Sequence, residues 1–115
     1  MKFIAKVYEP MYDFNDKKYI RYIIPVKVSE IIERMHTNKS HLLMNQNIDN
    51  PLDGTILTVK VPFRYRRVMC SVKGRPIQSL IKDDEVEVVV DFKGVWNVGT
   101  YSGFSWILSS SSLGD

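Results

Sequence analysis

The stretch EVEVVVDF at residues 85–92 constrains the fold more than any other part of the chain. Val86, Val88, Val90 and Phe92 share one face, while Glu85, Glu87 and Asp91 lie opposite with Val89 among them. Successive side chains of a strand point to opposite faces, so this alternation predicts a strand with one buried and one wet side. Such a strand needs partners, and the sequence offers several. TILTVKVPF at 55–63 puts Ile56, Thr58, Lys60 and Pro62 on one face and Thr55, Leu57, Val59, Val61 and Phe63 on the other. RVMCSVK at 67–73 reads as a further strand. YSGFSWIL at 101–108 reads as the last, with Phe104, Trp106 and Leu108 on one side.

The first half of the chain predicts a hairpin and a helix. KFIAKVY at 2–8 reads as a strand ended by Pro10, and YIRYIIPVKV at 19–28 as a second strand bent at Pro25, since proline offers no ladder donor. Asn15-Asp16 suits the turn of a hairpin. Ser29 is a good N-cap for a short helix over 30–36, carrying Ile31, Ile32 and Met35 one turn apart. Residues 37–54 read as a loop with room for one more helical turn, 94–100 as a Gly-bounded link, and Lys82-Asp83-Asp84 as a turn. The fold expected is α+β, mainly β: a small antiparallel OB-like barrel with one short helix and an N-terminal hairpin. Neither half of 115 residues could bury enough surface alone, so 1–108 are expected to form a single domain, with 109–115 a flexible tail.

Charge is distributed unevenly. Between Gly54 and Lys82 there is no acid, and seven basic residues stand there: Lys60, Arg64, Arg66, Arg67, Lys73, Arg75 and Lys82. The other nine basic residues face all 13 acidic ones, a balance of −4, so the net +3 conceals a strongly basic middle. Aromatic rings are interleaved with that charge in Pro62-Phe63-Arg64-Tyr65-Arg66-Arg67. If 63–67 continues the preceding strand, Phe63, Tyr65 and Arg67 alternate with Arg64 and Arg66. Arginine offers a fixed fork to phosphate oxygens and a flat face to a base, and tyrosine and phenylalanine offer π faces to unpaired bases. An arginine strand whose charges meet the acids at 83–91 would be the structural alternative. Trp96 and Tyr101, bordering the Gly-flanked link, are further candidates for stacking on bases.

Catalytic and metal-binding patterns are scarce. Cys70 lies in an apolar run where cysteine behaves as a small hydrophobe, although a thiol nucleophile is the enzyme reading it would allow. His36 and His41 read as surface residues at a helix end and in a polar loop, and with one cysteine they are too few for a zinc site. The acids Asp83, Asp84, Glu85, Glu87 and Asp91 read as a turn and the solvent face of a strand. No catalytic residue, metal or cofactor is expected. MKFIAKVYEP is interrupted by Lys6 and Glu9 before a signal-peptide core could form, and no stretch has the roughly 18 apolar residues of a membrane helix. An intracellular protein, not secreted and with no membrane partner, is the expectation.

The order VPFRYRRVMCSVKG, then LIKDDEVEVVVDFKGVW, then YSGFSWIL resembles the barrel of OB-fold single-stranded DNA-binding proteins, in particular the small ones of DNA viruses and phages. The resemblance covers about 55–108. It implies coating of single-stranded DNA, in preference to RNA, during replication or repair, with no cofactor and often with self-association. By position it points to Phe63, Arg64, Tyr65, Arg66, Arg67 and Trp96 as strand contacts. The other expectation is a protein-interaction module, an assembly or replication accessory factor, working through a sheet edge and the helix at 30–36.

Overall fold

The computed structural model of the chain describes residues 1–113. Its elements run β1 (Lys2–Phe14), β2 (Lys17–Ile23), α1 (Val26–Lys39), a 3-10 turn (Ser40–Leu42), β3 (Asn47–Asp49), β4 (Leu52–Asp53) and β5 (Ile56–Val61). After these come β6 (Phe63–Arg64), β7 (Arg67–Val68), β8 (Ser71–Lys73), a second 3-10 turn (Ile77–Ser79), β9 (Glu85–Val98) and β10 (Tyr101–Ser112). The protein is mostly β with one helix, and no helix among the described residues is long and apolar enough to cross a membrane.

The predicted hairpin is present as β1 and β2, joined at Asn15-Asp16, both with positive φ (51° and 63°). That conformation at both central residues is what a two-residue hairpin turn requires. Pro10 does not end β1. The register slips between Val7 and Glu9 and again between Glu9 and Tyr12. Pro10 sits in the second slip, where no ladder donor is missed.

Pro25 is the N-cap of the helix, not a bend within a strand, because its φ of −59° suits helix entry. The helix therefore starts at Val26 and runs to Lys39, longer at both ends than 30–36. Ser29 lies inside its first turn, buried, with its hydroxyl donating to the Val26 carbonyl at 2.6 Å.

The valine repeat of β9 pairs with β1 on one side and β10 on the other, and Val86, Val88 and Val90 are buried to within 1%. β9 then continues through the expected Gly-bounded link. At Gly94 (φ 97°) the register with β10 slips, leaving Lys93 as the extra residue of a bulge. β10 likewise runs on through the serines. Ser110–Ser112 pair with both β9 and β8, and Ser111 is buried, so 109–112 are sheet and not a loose tail. Gly114 and Asp115, the end of that expected tail, lie outside the described residues.

The sheet is mixed, not antiparallel throughout. The edge of β10 away from β9 is met in turn by three parallel partners: β3 at 101–103, β5 at the single pair Ile107–Lys60, and β8 at 110–112. Each arrives after loop or helix has carried the chain back, which is what parallel pairing needs. Together they cover backbone groups that an open edge would leave unpaired. One hydrophobic cluster joins Phe3, Val7, Ile20 and Tyr22 of the hairpin to Leu57, Val59, Val88 and Trp106, with Ile32 of α1 seated on it.

Candidate nucleic-acid interface

After Val61 the chain leaves the main sheet. The run 63–67 does not extend β5 but folds back as the hairpin β6–β7, in which Phe63 pairs with Val68 and Arg64 with Arg67. Tyr65 and Arg66 form its two-residue turn with φ of 51° and 64°. Such turns are usually built from Asn and Gly, because the left-handed region costs other residues about 1–2 kcal/mol each. The tip also sets Arg64 against Arg67 as direct ladder partners, a like-charge pairing that weakens a hairpin. Tyr65 is 84% exposed. Among the described residues, Lys60, Arg64, Arg66 and Arg67 form no ion pair. The tip is strained in its backbone, self-repelling and open to solvent, and a bound anion would relieve the repulsion between its arginines.

A second group of rings and cations lies along the main sheet. Ladder register lines up Tyr12 of β1, Tyr19 of β2, Lys60 of β5 and Ile107 of β10. The Tyr12 and Tyr19 rings stack with centroids 5.9 Å apart, and burial raises both phenol pKa values. Arg21 lies over the Tyr8 ring at 5.2 Å and Lys82 over it at 5.7 Å, while Lys18 caps Phe63 at 5.0 Å. Two of these cations also have acids: Arg21 pairs with Glu9 at 3.4 Å and Lys18 with Asp13. The charge pattern of the sequence does not point to Tyr8, Tyr12, Lys18, Tyr19 and Arg21. The signal was available, because a two-residue turn at Asn15-Asp16 sets Tyr12 opposite Tyr19 by counting alone.

The predicted residues are not all brought together. Lys60, Phe63, Arg64, Tyr65, Arg66 and Arg67 are neighbours. Trp96 and Tyr101 sit toward the far end of the β9–β10 hairpin, with Tyr101 six residues from Ile107, about 20 Å of strand. Tyr101 is 57% exposed, but Trp96 is half-buried with its ring over Gly103, so its face is already covered. Lys73 lies on β8 beside Ser112, at the opposite end of β10. Arg75 is a structural residue: it pairs with Asp84 at 3.3 Å and donates to the Ser79 carbonyl. The alternative in which the basic stretch meets the acids at 83–91 thus holds for Arg75 alone and not for the hairpin arginines.

His36 is not a surface residue. It is 6% exposed and stacks on Phe104 with ring centroids 4.0 Å apart and planes 3° apart. Trp106 Nε1–H donates to His36 Nε2 at 2.9 Å. An indole N–H can only donate, so Nε2 bears the lone pair and the imidazole is neutral. Burial lowers its pKa to about 4, with the Asn50 side chain opposing part of the drop. Nδ1 has no hydrogen-bond partner; Asn50, close by, accepts from the Leu52 N–H instead. The ring docks α1 on the sheet. Cys70 is half-buried in the bend between β7 and β8, not in a strand, and burial pushes its thiol pKa up, away from the thiolate a nucleophile needs.

Comparison with known proteins finds no matching family model, no curated relative and no similar solved structure.

Proposed function

We propose that this protein is a non-enzymatic, sequence-independent binder of single-stranded DNA that coats strands during replication or repair inside a cell or its virus. The observation that carries the reading is the β6–β7 tip, where Arg64, Arg66 and Arg67 have no carboxylate partner among the described residues and surround an exposed Tyr65. Arginine forks would take phosphate oxygens and the tyrosine face a base, so affinity would come from backbone and stacking, not from base edges. An OB-like barrel is the fold we assign. It is supported by the circuit of pairings β1–β2–β5–β10–β9–β1, in which the Ile107–Lys60 pair is the parallel link. The rings and cations on β1, β2 and β5 would extend the binding surface from the tip across the sheet.

One observation favours the second reading, a protein-interaction module that self-associates or recruits a partner. Leu42, Met44, Ile48, Val98 and Tyr101 are exposed near one another at the far end of the β9–β10 hairpin. Fluorescence anisotropy with a labelled single-stranded oligonucleotide separates the two. Binding that is lost when Arg64, Arg66 and Arg67 are replaced by Ala supports the first. A stable protein complex untouched by that change, with no oligonucleotide binding at low salt, supports the second.

A further inference from the structure

Lys60 and Ile107 are the only ladder pair between β5 and β10. Just beyond it the two strands part: β5 ends at Val61 and the chain turns out into β6–β7, while β10 runs on to pair with β8. The returning chain is tied back where the Met69 N–H donates to the Pro62 carbonyl at 2.8 Å. The parting leaves a hollow of about 380 Å³ lined by Lys60, Pro62, Phe63, Arg64, Met69 and Ile107. That volume is at the small end for ligand sites, with room for a ring system and not for a folded chain. Its walls are a proline ring, a phenyl ring, a thioether and an isoleucine, and Met69 is 48% exposed. Its charged members are both cations without an acid partner among the described residues.

We infer that this hollow seats one unpaired nucleobase, with Lys60 and Arg64 holding the phosphates on either side of it. The occupant is a nucleotide because apolar walls beside two cations match a flat heterocycle joined to an anion; a hydrocarbon would leave the cations unused, and a bare anion the walls. The inference rests on the single-strand reading and sharpens it. The tip alone would bind any phosphate backbone, duplex included, whereas the hollow admits only a base that has left its stack, so it would select single strands.

The test is an NMR titration of the full chain, methyl-labelled at Met and Ile and nitrogen-15-labelled at Arg. Four probes are used: a thymidine pentanucleotide, a base-free deoxyribose-phosphate pentamer, thymidine monophosphate and polyglutamate. The pentanucleotide is expected to move the Met69 and Ile107 methyl signals, and the base-free pentamer to leave them in place. Ile107→Ala and, separately, Met69→Ala should weaken the pentanucleotide roughly tenfold while leaving the base-free pentamer bound as before. Met69 lies outside the strands, so its variant tests the site even if the Ile107 variant fails to fold. Equal methyl shifts with the base-free pentamer or polyglutamate overturn the inference. So does tighter binding of thymidine monophosphate than of the pentanucleotide, which would make this a free-nucleotide site. If the arginine side-chain signals respond to the pentanucleotide and the two methyls do not, the hollow is wrong and the single-strand reading survives. If nothing in the chain responds, both fail.

Discussion

Arg64 and Arg67 are ladder partners across the two-residue turn of β6–β7, like charges facing each other with no carboxylate paired to either among the described residues. A hairpin selected for its own stability would not be built so. Replacing Arg67 with Glu supplies the missing opposite charge and should stabilise the free protein slightly, by about 0.2–1 kcal/mol. The same change should weaken oligonucleotide binding at least tenfold by placing a carboxylate among the phosphate contacts. Urea denaturation and anisotropy on one preparation check both. A variant that is less stable and binds as before contradicts the role given to the pair.

The burial of His36 between α1 and the sheet makes stability depend on acid. His36 has a folded pKa of about 4 against 6.5 when unfolded, so the unfolded chain takes up the proton first as pH falls. Its contribution is intact above about pH 6.5, declines through the window below, and is lost by about pH 4. The loss reaches on the order of 3 kcal/mol. Urea midpoints at pH 7, 6 and 5 should fall in sequence for the native chain. His36→Gln should flatten that trend at a lower starting stability, and a trend as steep in the variant would assign it to other groups.

Gly103 is required by its neighbours, not by its backbone angle. A Cβ there would lie 2.5 Å from Trp96 Cζ2 and 2.6 Å from the Asp49 carbonyl oxygen. The indole can swing aside, but the β3 carbonyl is held by its ladder with β10. Gly103→Ala should therefore cost about 1–3 kcal/mol. Tryptophan emission should shift as Trp96 becomes exposed, and unchanged emission and stability would show the ring placement to be wrong.

Where residues alternate strictly, their sequence foretold their burial: Leu57, Val59 and Val61, Val86, Val88 and Val90, and Phe104, Trp106 and Leu108 all face the core. Element ends were harder to read. Pro10 and Pro25 both read as interruptions of strands, but a bulge accommodates the first and the second opens a helix. Three partners of β10 come from distant parts of the chain, and no local pattern foretells such pairing. In the candidate site, composition pointed to the arginines of 64–67 but not to their turn, because Tyr65-Arg66 lacks the Asn or Gly that marks one. His36 resembled a surface residue because its partners Phe104 and Trp106 lie some 70 positions away.

In the proposed function, the arginines of β6–β7 neutralise phosphates of a single strand. Each neutralised phosphate contributes about −0.7 to the slope of log affinity against log salt on single strands. Anisotropy titrations with a thymidine oligonucleotide between about 50 and 200 mM salt measure that slope directly. The native protein should show a steep negative slope, and replacing Arg64, Arg66 and Arg67 with Ala should reduce its magnitude by about 2. A native slope near zero, or one that the triple replacement leaves unchanged, would contradict the account.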